Sequence, residues 1–133
     1  MAANTAPVFT LTPKSKTIAG TATANTSRTT FATGFDVVTG ATDGTRVEGI
    51  WFTAVGSTTA GMIRIWQYES VAAGYFLIGE LPVGAITASG TVAAWQGYWA
   101  PPLGPLVLAS GDKLGFTTNA AEAFNATPIA NDF

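Results

Sequence analysis

The stretch GMIRIWQYESVAAGYFLIGEL, residues 61–81, decides the fold. Residues 62–68 and 75–81 are rich in β-branched and aromatic side chains, and the flexible SVAAG between them reads as a turn. The stretch is therefore a β-hairpin. Side chains alternate faces along a strand, so Ile63 and Ile65 fall on one side and Met62, Arg64, Trp66 and Tyr68 on the other. The isoleucines are the expected core side. The other side sets two large rings beside an arginine, residue types enriched at protein interfaces.

Three uses compete for such rings: filling a core, packing against another subunit, or stacking on a sugar. The alternation predicts a protein–protein surface at Arg64, Trp66 and Tyr68. A shift of one residue in register would turn Trp66 into the core. The same pattern recurs in AAWQGYWAPP, residues 93–102, where Trp95, Gly97 and Trp99 share one face while Gln96 and Tyr98 share the other. Trp95 and Trp99 join the interface candidates.

Outward from this hairpin, similar short segments follow one another between turn signals. Strands are expected at 16–23, 29–39, 46–55, 91–99, on either side of Ser110-Gly111-Asp112, and at 124–129, with Asp43-Gly44 as a hairpin turn. Pro82 is expected to end the 75–81 strand. No segment carries apolar residues at i, i+3, i+4 and i+7 over three turns, so no amphipathic helix is predicted. About eight or nine strands without helices between them indicate an all-β chain, a single antiparallel β-sandwich of jelly-roll-like form. Residues 16–133 form that domain. Residues 1–15 read as an extended N-terminal arm, because Pro7 and Pro13 disfavour helix while Val8, Phe9 and Leu11 need something apolar to cover them. Phe9 and Leu11 are accordingly interface candidates as well.

Composition narrows the chemistry. Charged residues make up 11% of the 133, well under the usual quarter, while hydrophobic residues reach 47%. So little charge gives weak protection against association, which fits a surface covered in an assembly. Six basic residues scattered along a chain of net charge −2 form no cluster for phosphates, so nucleic acid is not expected as a partner. No apolar run approaches the ~20 residues that span a bilayer, and MAANTAPVFTLTPKSK lacks the basic and apolar regions of a secretory signal; no membrane partner is expected.

The sequence contains no cysteine and no histidine, which removes thiolate nucleophiles, the common zinc sites and the usual triads. Asp43 and Asp112 sit in glycine turns, and Glu48, Glu69 and Glu80 lie on or beside strands where Arg46 or Arg64 can pair across, so these acids are expected in turns and ion pairs. No calcium-loop or phosphate-cradling pattern is present. The reading is a non-enzymatic protein with no cofactor and no metal.

The chain also resembles small structural proteins of tailed phages and prophages. The resemblance runs from about Thr17 to Phe133 and rests on TTAGMIR at 58–64, L-x-L-x-x-G-x-x-L at 106–114 and N-A-x-x-x-F-N at 119–125. It implies a virion component made in the host cytoplasm, most like a capsid decoration (cement) protein on the head surface. The implied partners are the major capsid protein and copies of itself. It assigns no site residues. A tail- or fibre-associated β-domain, or a carbohydrate-binding module using exposed aromatics, is the alternative.

Overall fold

The computed structural model describes residues 12–20 and 23–133. Among them there is no helix, and ten strands form: β1 (Thr12–Pro13), β2 (Ile18–Gly20), β3 (Phe35–Thr39), β4 (Thr45–Ala54), β5 (Gly61–Glu69), β6 (Gly74–Val83), β7 (Gln96–Trp99), β8 (Leu106–Leu108), β9 (Lys113–Thr118) and β10 (Phe124–Asp132). They build two antiparallel sheets packed as a β-sandwich. In the six-stranded sheet β10 and β4 are central, with β1 and β2 along the far edge of β10 and β7 and β8 along the far edge of β4. The four-stranded sheet has the order β3-β9-β5-β6.

The expected hairpin is β5–β6, in register from Gly61 opposite Val83 to Glu69 opposite Gly74. Ile63 and Ile65 are fully buried between the sheets, as the alternation required. They meet Leu114 and Phe116 from β9 on their own sheet, and Val47, Ile50 and Phe52 of β4 supply the facing side. Phe116 sits at the middle, its ring centroid 5.2 Å from Phe52 edge-on and 5.4 Å from Phe35. Each such side chain contributes about 1.5–3 kcal/mol by leaving water.

Bulges adjust which residues reach this core. On β4 the partner of Ile129 is Gly49 and that of Ala130 is Val47, so Glu48 is an extra residue. That insertion lets Val47 and Ile50, three apart, both point inward, whereas strict alternation would put them on opposite faces. On β6 the extra residue is Ile78, and on β3 it is Val37.

Three expected strands have different limits. In 29–39 only Phe35–Thr39 is strand, because Asn25 and Ser27 fold the preceding residues into local turns: Asn25 accepts from the Ser27 N–H, and Ser27 Oγ accepts from the N–H groups of Thr29 and Thr30. In 91–99 only Gln96–Trp99 is strand, with Ser89 making the same kind of turn through the Thr91 and Val92 N–H groups. Pro82 does not end β6, which runs on to Val83; at a sheet edge proline forfeits no ladder bond. Of the expected arm, Thr12 and Pro13 pair with Asp132 and Asn131 as β1, and Phe9 and Leu11 lie outside the described residues.

Candidate functional site

Each sheet has an outer face, and the two are used differently. On the four-stranded sheet, Arg64, Trp66 and Tyr68 point away from the core, as the alternation predicts. They are not, however, free for a partner. Trp66 is 1% exposed and Arg64 5% exposed, with Tyr68 partly covered. The expectation of an open protein–protein surface at Trp66 and Arg64 is therefore corrected: the chain covers these side chains itself.

The cover is the segment between β2 and β3. Ala24 bridges to Thr118 at the edge of β9, the chain crosses the sheet to β6, and it returns to pair Phe35 with Phe116. Arg28 reaches Glu80 on β6, its Nε 2.5 Å from Oε1. Phe31 stacks on Tyr75 at 3.8 Å and meets Trp66 edge-on at 5.9 Å. Glycine opposite Trp66 makes room for it, since a Cβ on Gly115 would stand 2.7 Å from the Phe31 ring. Beneath this strap the Trp66 indole N–H donates to Thr117 Oγ1 at 3.0 Å, satisfying a donor that burial would otherwise orphan.

The strap is held electrostatically as well. Glu80 accepts from Arg28 and from Arg64, whose Nε lies 3.2 Å away; Arg64 Nη1 has no partner among the described residues. The Arg28 hydrogen bond first, then its charge and the Arg64 contact, hold the Glu80 carboxyl below the usual carboxylate range. A depressed folded-state pKa adds stability above the unfolded value of 4.5, and that stability is lost as pH falls through the folded value. Glu80→Gln leaves Arg64 buried without a counter-charge, so its thermal midpoint is expected below the parent's at pH 7. The two midpoints should converge under acid, as read by melts from pH 7 to pH 3; equal midpoints at pH 7 would remove this role. Nearby, Tyr75 donates to Asp36 at 2.7 Å, and burial followed by that bond raises its hydroxyl pKa well above the tyrosine range.

Other acids are similarly engaged. Asp112 accepts from the Ser70 N–H and hydroxyl, Glu122 from those of Thr59, and Asp132 faces Lys14 and Thr45.

Trp95 and Trp99 are corrected as interface candidates too, because they turn inward. Trp99 packs on Gly79 of the opposite sheet, where a Cβ would stand 2.9 Å from Cε2, and Trp95 lies edge-on to Phe124 at 5.8 Å. The alternation is as predicted; Trp99 of β7 and Trp95 just before it are on the core side.

The outer face of the six-stranded sheet is the open one. Trp51 and Tyr98 stand directly opposite one another on β4 and β7, 49% and 51% exposed. Tyr98 lies across Gly49, where any Cβ would overlap its ring. Ile129, opposite Gly49, and Val107, opposite Arg46, are exposed at outward positions of the same face, and the row next to Trp51 carries Gln96, Thr53 and Asn125 in register. The outward side chains of β4, β7, β8 and β10 include a single charged pair, Arg46 with Glu48 at 2.9 Å. The sequence reading passed over Trp51. The available signal was VEGIWF, where a bulge at Glu48-Gly49 places Val47, Ile50 and Phe52 inward and Trp51 outward.

Comparison of the chain with protein families, with curated proteins and with solved structures finds no match.

Proposed function

We propose that the chain is a non-enzymatic virion structural protein of the capsid decoration class, attaching to the outer surface of a phage head through the outer face of its six-stranded sheet. The observation that carries the reading is the pair of exposed rings, Trp51 and Tyr98, side by side on the outer face of the six-stranded sheet. Trp51, Tyr98, Val107 and Ile129 occupy outward positions on strands that carry one ion pair on that side, whereas on the other sheet Trp66 is closed by the strap and the exposed apolar side chains are Phe76 and Ile78 of β6. A weakly charged face with two exposed aromatic rings suits burial against protein. The phage-protein resemblance supports a shell as that protein. The order β2-β10-β4-β7 facing β3-β9-β5-β6, with connections that cross between sheets, supports the jelly-roll reading. On a closed shell, many identical contacts stabilise the assembly even when each is weak.

The test is co-sedimentation with heads of the encoding phage assembled without this protein. Saturable, stoichiometric binding is expected. Trp51→Ala should weaken it at least tenfold while shifting the thermal midpoint little, since half of that ring already faces water. Absence of binding by the parent protein overturns the proposal.

One observation favours a second reading. The hydroxyl end of the Tyr98 ring lies over Gly49 beside Trp51, with Gln96, Thr53 and Asn125 one row away, about 7 Å along the strands. A neutral pyranose can stack on such a ring while its hydroxyls reach the amides. Saturable tryptophan fluorescence changes with neutral oligosaccharides, lost in Trp51→Ala and without head binding, would select the glycan reading.

A further inference from the structure

We propose that the strap, residues 24–34, is a latch that lifts from the four-stranded sheet as a unit while the sandwich beneath stays folded, and so gates access to Arg64, Trp66 and Tyr75. The inference stands apart from the decoration reading. Both ends of the strap are fixed to one strand. At one end the Asn25 N–H donates to the Thr118 carbonyl at 2.8 Å, and at the other Phe35 pairs with Phe116. These anchors are two positions apart on β9, about 7 Å. A loop with neighbouring ends can swing away without pulling strands apart. The strap also holds its own shape. Asn25 Nδ2 donates to the carbonyls of Thr30 and Ala32, Asn25 Oδ1 and Ser27 Oγ accept from the N–H groups of the turn, and the Gly34 N–H donates to the Phe31 carbonyl at 3.0 Å.

What ties the strap down is slight by comparison. Among the described residues, no backbone hydrogen bond joins 26–33 to β5, β6 or β9. The ties are the Phe31 ring against Tyr75 and Trp66, and the Arg28 pair with Glu80, in which the arginine side chain is 60% exposed. An ion pair so open to water holds weakly. Against these ties the closed position carries two costs. Thr33 has φ of 63°, a left-handed value that a β-branched residue adopts only with strain. Arg64 keeps Nη1 buried without a partner among the described residues, a donor that water satisfies once the strap lifts. Thr33 lies where the strap turns back toward β3, which makes it the hinge. Opening there relieves both costs and leaves the apolar core between the sheets closed, so it requires less free energy than global unfolding.

The experiment is native-state hydrogen exchange of the isotope-labelled full chain, followed by NMR in rising, sub-denaturing urea. The Trp66 indole N–H is expected to be protected roughly tenfold or more below the slowest amides of β4 and β9, with little dependence on urea. Arg28→Gln should lower the indole protection further and leave those amides as they are. Thr33→Asn, which accepts a left-handed backbone more readily, should raise it. An indole that shares the protection and the urea dependence of the slowest amides overturns the latch, because the strap then leaves only with the whole fold. An indole with no protection overturns it from the other side, because the strap then does not close. Indole protection equal to the parent's in Arg28→Gln removes the clasp, and in Thr33→Asn it removes the hinge.

Discussion

Trp66→Ala is expected to destabilise the protein by about 3–5 kcal/mol, the range for removing a large aromatic from a closed site. For a domain of this size that is a fall of roughly 10–20 °C in thermal midpoint. Three losses combine. The indole leaves a void between β5 and the strap, Thr117 Oγ1 loses its donor, and Phe31 loses its edge-on contact. Urea unfolding of the variant checks this. A stability close to the parent's would mean that the strap does not cover the ring, and would restore Trp66 as an open interface residue. Phe31→Ala should show part of the same loss, and the double variant should cost less than the two single ones added, because both act on one contact. Trp51→Ala stands as the contrast, with its effect on docking and little effect on folding.

Gly49→Ala is expected to cost about 1–3 kcal/mol, the range for overpacking a well-filled site, and to weaken docking as well. A Cβ there overlaps the Tyr98 ring and stands 2.5 Å from the Trp99 carbonyl oxygen, so β7 and its tyrosine must move away from β4. The ring can swing out into solvent, but the backbone of β7 cannot shift without straining its pairing with Ile50 and Phe52. Thermal melts read the stability term. Tyr98→Ala in the Gly49→Ala background separates it from docking, since with the ring gone only the clash with the β7 backbone remains. If Gly49→Ala matched the parent in both respects, Tyr98 would not lie over Gly49.

The strand pattern was legible where short-range physics settles it. Ile63 and Ile65 face the core because a pleated strand must alternate, and nothing in β5 interrupts the count. The turns at Asp43-Gly44 and Ser110-Gly111-Asp112 form where the sequence places them; Gly44 and Gly111 have φ of 99° and 82°, which other residues adopt only with strain. The face carrying Trp95 and Trp99 was likewise readable, although which side of the sheet held the core was not. In 29–39 and 91–99, β-branched composition suggested strand, and side-chain hydrogen bonds from Asn25, Ser27 and Ser89 took the backbone into turns instead.

Trp51 was missed for a different reason. A bulge leaves no local mark beyond a glycine, and one extra residue exchanges the faces of everything after it. The fate of Trp66 was hidden more deeply. Alternation sends its ring away from the core, and that is where it points. Whether such a ring meets water, a partner or its own chain depends on Phe31 and Arg28, 35 and 38 residues earlier, crossing over Gly115 to reach Tyr75 and Glu80.

The sequence by itself thus determined an all-β chain, its main strands, its glycine turns and the inward isoleucines, because each follows from steric preferences and periodicity within a few residues. Only the tertiary structure decided which outer face stays open. Covering a surface is a matter of long-range packing, and the groups that close one sheet and leave Trp51 and Tyr98 bare on the other are neighbours in space, far apart in sequence.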